Sequence, residues 1–228
     1  MTMGVQWSQE VSARLSGLAL CMGVLNGIRN ENDNDQLRAL KRNVCAEVKV
    51  AHAVEVLKED PTVRAYRDFY WRLGIDPTKT RPSGEALIRR VLNGNELPNI
   101  STVVDAYNLA SMKTLVPISG FDGDRVSPPF QVRFARNDEA FKGIGMSAPM
   151  TLTDKLLVLA DQNQILCIYP YRDSDQTKIG MQTRNVMLVG YGASGVAEAR
   201  LREAIETALS FIRQVAGGEI KSIQVFRQ

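Results

Sequence analysis

The spacing of apolar residues changes character along the chain. Residues 18–29 (LALCMGVLNGIR) form a short apolar run rich in Val, Leu and Ile, which predicts a buried strand. Residues 30–35 are a polar turn able to cap a helix. From 35 to 59 the positions Leu37, Leu40, Val44, Val48 and Val54/Val56 recur at roughly helical spacing. Pro61 opens the next helix, which runs through Leu73 and is ended by Gly74, and Asp76-Pro77-Thr78 reads as a turn. Pro82 and Gly94 bracket a helix over 82–93, and Ser101 caps another over 102–113.

After Pro117 the elements shorten. Strands are predicted at 116–121, 129–134, 156–160, 164–170 and 185–191, with Gly, Pro and Asp between them, a pattern that favours antiparallel or mixed pairing. Residues 143–149 (GIGMSAP) read as a loop. A final helix over 196–216 carries Leu201, Ile205, Leu209, Ile212 and Val215 on one face. Ser194 is its expected cap and Gly217-Gly218 its stop, and a strand over 221–226 follows. With no repeat or linker in between, the expectation is one α+β domain over residues 1–228, built from layered mixed or antiparallel sheets with flanking helices.

Composition narrows the function classes. A length of 228 residues is enough to bury a substantial core. The net charge of +3 permits an anionic partner without requiring one. The excess is local: within residues 64–90, Arg64, Arg67, Arg72, Lys79, Arg81, Arg89 and Arg90 face only Asp68, Asp76 and Glu85. Cys21, Cys45 and Cys167 are far apart and lack metal spacing, so free thiols in a reducing compartment are expected. Residues 1–16 lack the apolar core of a signal peptide, and the run 18–25 is too short to span a bilayer. A soluble cytoplasmic protein without a membrane partner is the expectation.

Standard catalytic signatures are sparse. His52 is the single histidine, which argues against histidine-based metal sites and a Ser-His-Asp triad. Neither a metal nor a cofactor is expected. Residues 190–195 (GYGASG) match the GxGxxG spacing, but no third βαβ strand follows with the acidic residue that dinucleotide binding needs. A tight strand-to-helix turn is the better reading. Residues 64–72 (RAYRDFYWR) interleave aromatic and basic side chains, as RNA-contacting surfaces do, and suit a core-facing stripe with an arginine rim slightly better. Residues 169–178 (YPYRDSDQTK) form a polar stretch between apolar strands, with Arg172, Asp173, Ser174, Thr177 and Lys178 able to make either a wall for a small anionic or zwitterionic ligand or a solvated loop. In helix 102–113, Asp105 and Asn108 suit helix-end capping, whereas Tyr107 and Asn108 together with Ser119 suit a pocket mouth.

The order of these pieces resembles a known family. Arg81-Pro82-Ser83 before a basic amphipathic helix, then NISTVVDAYNLASMKTLVPISGFD (99–122), then VLADQNQILCIY (158–169) and YRDSDQTKI (171–179), is similar to the B3/4 editing domain of the phenylalanyl-tRNA synthetase β subunit. The resemblance covers roughly residues 60–195. It implies a layered α+β fold and hydrolysis of the ester that joins a wrong amino acid, typically tyrosine, to tRNA. Asn108 and Ser119 are the implied catalytic positions. Tyr107, Ser111, Phe121, Asp122, Tyr171, Arg172, Asp173 and Lys178 are the candidate substrate-binding residues, and the seven cations of residues 64–90 the candidate RNA contacts. Ser119 stands where the family strand has histidine, and Val189 or Gly190 where bacterial members carry glutamate. Nothing resembles the synthetase's catalytic core, so the chain is not expected to charge tRNA by itself. The expectation is a tRNA-binding protein that deacylates mischarged tRNA in trans. The alternative is a non-catalytic module that holds a free amino acid or similar small ligand.

Overall fold

The structure, a computed structural model, describes residues 3–228. The chain runs β1 (Val5–Trp7), α1 (Gln9–Arg14), β2 (Ala19–Asn26), α2 (Asp35–Ala51), a 3-10 turn (Leu57–Glu59), α3 (Pro61–Arg72), α4 (Ser83–Leu92), α5 (Thr102–Thr114) and β3 (Ile118–Asp122). It continues through a second 3-10 turn (Gly123–Arg125), β4 (Phe130–Phe134), β5 (Ala140–Phe141), β6 (Met150–Thr151), β7 (Leu157–Ala160), β8 (Ile165–Ile168), β9 (Arg172–Asp173), β10 (Asn185–Tyr191), α6 (Glu198–Ala216) and β11 (Glu219–Arg227). The α+β class and the mixed pairing match the sequence expectation. One sheet has the order β1-β4-β7-β8-β9, with β1 parallel to β4 and the other pairs antiparallel; the second is antiparallel with the order β11-β2-β10-β3.

Local chemistry explains most boundaries. Asn34 Oδ1 accepts from the Leu37 amide at 2.8 Å and starts α2; Asp60 caps α3 ahead of Pro61; Ser101 caps α5. Gly74, Gly94 and Gly217 stand at positive φ just past α3, α4 and α6, where a left-handed residue closes the last turn. Three expectations are corrected. α2 ends at Ala51, because His52 is extended and Val56 points to solvent, so residues 52–59 never continue the stripe. α6 begins at Glu198 behind Ala197, and Ser194 does not cap it. β1, α1 and the short strands β5, β6 and β9 were not expected at all; β5 and β6 pair across the predicted loop 143–149.

The glycine-rich turn 190–195 serves packing. A Cβ on Gly192 would fall 2.5 Å from the carbonyl oxygen of Ala19, and β10 is antiparallel to both neighbours, unlike the parallel strands of a dinucleotide fold. Helix α6 covers β2 and β10 so closely that a Cβ on Gly23 would meet Ile205 at 2.5 Å. α5 lies between α6 and α4 with nearly every residue buried, including Thr102, Asp105 and Ser111, which makes it the rigid centre from which β3 departs. The sheets meet through tyrosines. Tyr169 and Tyr191 stack edge-to-face at 4.7 Å, Tyr169 donates to the Gly192 carbonyl at 2.7 Å, and Tyr66 of α3 donates to the Tyr191 carbonyl at 2.6 Å. The aromatic positions Tyr66, Phe69 and Tyr70 are therefore core, as the stripe reading had it, while Trp71 is exposed.

Candidate functional site at the joint between the sheets

The free edge of β3 meets the end of the other sheet at β9. The Asp122 amide donates to the Thr177 carbonyl at 2.9 Å, and Phe121 bridges Lys178. Across this joint Ser119 Oγ donates to Asp173 Oδ1 at 2.5 Å, a charge-assisted contact between residues 54 positions apart. Burial is the larger influence on Asp173 and pushes its carboxyl up to about 7; the Ser119 bond opposes that shift. Tyr107 reaches the same place from α5. Its ring occupies the space beside Gly120: a Cβ there would lie 2.6 Å from Tyr107 Cε1 and 2.8 Å from Ile179 Cδ1. Burial raises the Tyr107 phenol far above its ordinary value, and the Asp173 charge adds to this.

Beyond Asp173, the stem of Arg172 lies over Gly143, where a Cβ would fall 2.6 Å from Arg172 Cδ. The Ile144 amide donates to the Asp173 carbonyl at 2.9 Å, so the loop 143–149 is fastened to the strand that carries the acid. On the core side, the Tyr191 hydroxyl sits 3.0 Å from Cys167 Sγ, and burial raises the Cys167 thiol well above its ordinary value. Cys21 is likewise pushed up to about 12, as expected of buried, unreactive thiols.

The structure thus brings Tyr107, Ser119 and Asp173 together, whereas Arg172, the preceding residue of β9, lies over Gly143. Tyr171 adjoins them, half-buried, with its phenol raised by burial. Residues 172–173 form a strand, Ser174 and Thr177 are buried, and Lys178 pairs with Asp175 at 2.6 Å, so this segment is an inter-sheet joint rather than a solvated loop. Phe121 is core, and Asp122 accepts from the Thr183 hydroxyl at 2.7 Å and the Asp124 amide at 3.1 Å. Asn108 and Ser111 point elsewhere. Asn108 faces a narrow crevice between Leu87, Leu97 and the Lys41–Asp105 ion pair, which closes at 2.6 Å. Ser111 donates to the Val116 carbonyl at 2.6 Å and lies against α4.

The seven cations of residues 64–90 also separate. Arg67 and Arg89 turn inward onto Glu85, at 2.9 Å and 2.8 Å. Arg90 donates to the Glu96 carbonyl, Arg64 stands 3.6 Å from Glu59, and Lys79 stands 4.0 Å from Asp76. Among the described residues, Arg72 and Arg81 form no ion pair and are exposed. Sequence reasoning missed the buried role of Glu85, although its spacing to Ile88 and Val91 places it on the apolar stripe of α4. It also placed Asp173 in a ligand-binding wall without its partner Ser119, and nothing local pairs those two.

Comparison with known proteins places the chain in a family. The B3/4 domain family model matches residues 65–217. The chain is 25% identical over 148 residues to the phenylalanine–tRNA ligase β subunit of Haemophilus ducreyi, covering 55% of this chain and 18% of that protein. It is 27% identical over 169 residues to the same subunit of Methylococcus capsulatus, covering 64% of this chain and 21% of that protein. The chain therefore spans about a fifth of the length of these curated relatives. An N-terminal fragment of the phenylalanyl-tRNA synthetase β subunit from Pyrococcus horikoshii shares the fold, with a TM-score of 0.52 at 16% identity, over 96% of this chain and 50% of that one. Among the described residues, no helix is long and apolar enough to cross a membrane.

Proposed function

This chain belongs to the B3/4 domain family and is a module related to phenylalanine–tRNA ligase β subunits; from that premise we propose that it hydrolyses the ester of a mischarged aminoacyl-tRNA at the Ser119–Asp173 joint. The observation that carries this reading is an acid poised near neutrality and hydrogen-bonded to a serine at the place where two sheets meet. A carboxyl near 7 is matched to general acid–base work at ordinary pH.

In the proposed step Asp173 takes a proton from water as the oxygen attacks the ester carbonyl. The bond from the carbonyl carbon to the ribose oxygen then breaks, and the proton passes from Asp173 to that oxygen. The products are a free amino acid and an intact tRNA end. Ser119 holds the carboxylate and the water in register, which restricts the approach of the reacting groups. Tyr107, packed beside Gly120, borders the pair on the α5 side. The ester is already activated, so positioning plus one base is a sufficient device.

The test is a deacylation panel of tRNAs, each mischarged with a different amino acid, incubated with purified protein. At least one substrate is expected to turn over above its spontaneous rate, and Ser119→Ala is expected to lower that rate about tenfold or more. Asn108→Ala discriminates between the two sides of α5: loss of activity there, with Ser119→Ala silent, would move the reaction to the Lys41–Asp105 crevice. If no substrate in the panel is hydrolysed while a free amino acid raises Tm, the chain is a binding module instead.

A further inference from the structure

The fold assembles a cationic groove that no single segment displays. The C-terminal end of α1 supplies Arg14 and Leu15, the end of α3 supplies Arg72 and Leu73, β4 supplies Phe134, and the turn before β7 supplies Lys155. The groove encloses about 440 Å³, within the range of roughly 300–1,000 Å³ usual for small-ligand sites. The Arg14 guanidinium carbon lies over the Phe134 ring, 4.1 Å from its centroid, and the group is paired with Glu10 at 2.8 Å. Arg72 and Lys155 are exposed and make no ion pair among the described residues. Two free cations therefore flank a guanidinium plane that rests on an apolar floor.

That combination matches one ligand chemistry. Phosphates draw the free cations, and a guanidinium plane accepts an unpaired base by stacking. A purely apolar partner would leave Arg72 and Lys155 desolvated without counter-charge.

We propose that the Arg14–Arg72–Lys155 groove is an RNA-binding site that seats single-stranded nucleotides by their phosphates and stacks one base on Arg14. This deepens the deacylase reading, on which it rests for the identity of the RNA as tRNA. Of the cations read from the sequence, it keeps Arg72 and adds Arg14 and Lys155, which lie outside the basic block.

The experiment measures binding of uncharged tRNA by fluorescence anisotropy between about 50 mM and about 300 mM salt, for the wild-type chain, Arg72→Glu/Lys155→Glu and the control Lys221→Glu. The double variant is expected to lose at least tenfold in affinity, and its log–log salt slope is expected to fall by about 1.4–1.8. The control should leave both unchanged. Both altered residues are exposed, and an unchanged Tm confirms that the variant is folded. Equal affinity of wild type and double variant overturns the proposal, as does a loss that Lys221→Glu reproduces. Binding to vesicles of phosphatidylserine and phosphatidylcholine without tRNA affinity also overturns it, in favour of a lipid surface. Hydrolysis of a small aminoacyl ester that lacks RNA is measured alongside. Activity that persists in the double variant while tRNA affinity falls supports the groove; failure of all ester hydrolysis counts against the deacylase reading, and the groove is still judged by affinity.

Discussion

Replacing Asp173 with asparagine is expected to cut the proposed deacylation by about 10²–10⁴-fold, the usual worth of a positioned general base, while making the protein more stable at neutral and alkaline pH. Both effects have one cause. Burial raises the Asp173 carboxyl from 3.8 to about 7, so the folded chain holds that proton more tightly than the unfolded chain does. The resulting contribution to stability is fully present below pH 3.8 and is lost as pH rises through about 7. Asparagine keeps the shape and carries no charge to desolvate. The variant should therefore gain on the wild type between about pH 4 and about pH 7, by on the order of 4 kcal/mol, and gain nothing further above that.

The rate carries the same signature. Wild-type activity should climb with pH through about 7 as the base is unmasked. Ser119→Ala removes the bond that lowers the carboxyl, so its residual activity should climb at a higher pH. Thermal melts and pH–rate profiles on the three proteins check both halves. A flat wild-type profile, or an asparagine variant with full activity, would remove Asp173 from the chemistry while leaving its effect on stability intact.

Much of the architecture follows from the chain's own periodicity. Leu37, Leu40, Val44 and Val48 are all buried on α2, and Leu201, Ile205, Leu209, Ile212 and Val215 on α6, because a stripe at helical spacing has one face to hide. The stripe misled only where it was extended by coincidence: Val54 and Val56 keep the spacing, but the chain has already left the helix at His52. β1 and α1 escaped notice because three and six residues are too few to establish a period.

The site was legible in parts. Ser119 could be found from the resemblance carried by its strand, and Asp173 from the polarity of its segment. Their contact could not be read, since it depends on how two sheet edges are brought together between residues 54 positions apart. The basic block shows the opposite limit. Counting charges treats Arg67, Arg72 and Arg89 alike, yet burial of one acid on α4 turns two of them inward and leaves the third free.

That acid predicts the largest loss of stability. Glu85 is fully buried, and it binds Arg67 of α3 at 2.9 Å and Arg89 of its own helix at 2.8 Å; Arg89 also donates to the Val54 carbonyl at 3.2 Å. One carboxylate thus ties α3, α4 and the segment after α2. Glu85→Ala is expected to cost about 3 kcal/mol, because it leaves two guanidiniums of like charge facing each other across a cavity. Arg67 and Arg89 each keep about a fifth of their side-chain surface in water, which places the loss at the lower end of the range for broken buried pairs. For a chain of this size the loss corresponds to a fall in Tm of roughly 6–12 °C. Replacing all three together, as Arg67→Met, Glu85→Leu and Arg89→Met, should recover most of it, since no charge then remains to be desolvated. The same triple variant separates stability from binding. If Arg67 and Arg89 serve the fold, its tRNA affinity should match the wild type's within about threefold; a much larger drop would return both arginines to the RNA surface.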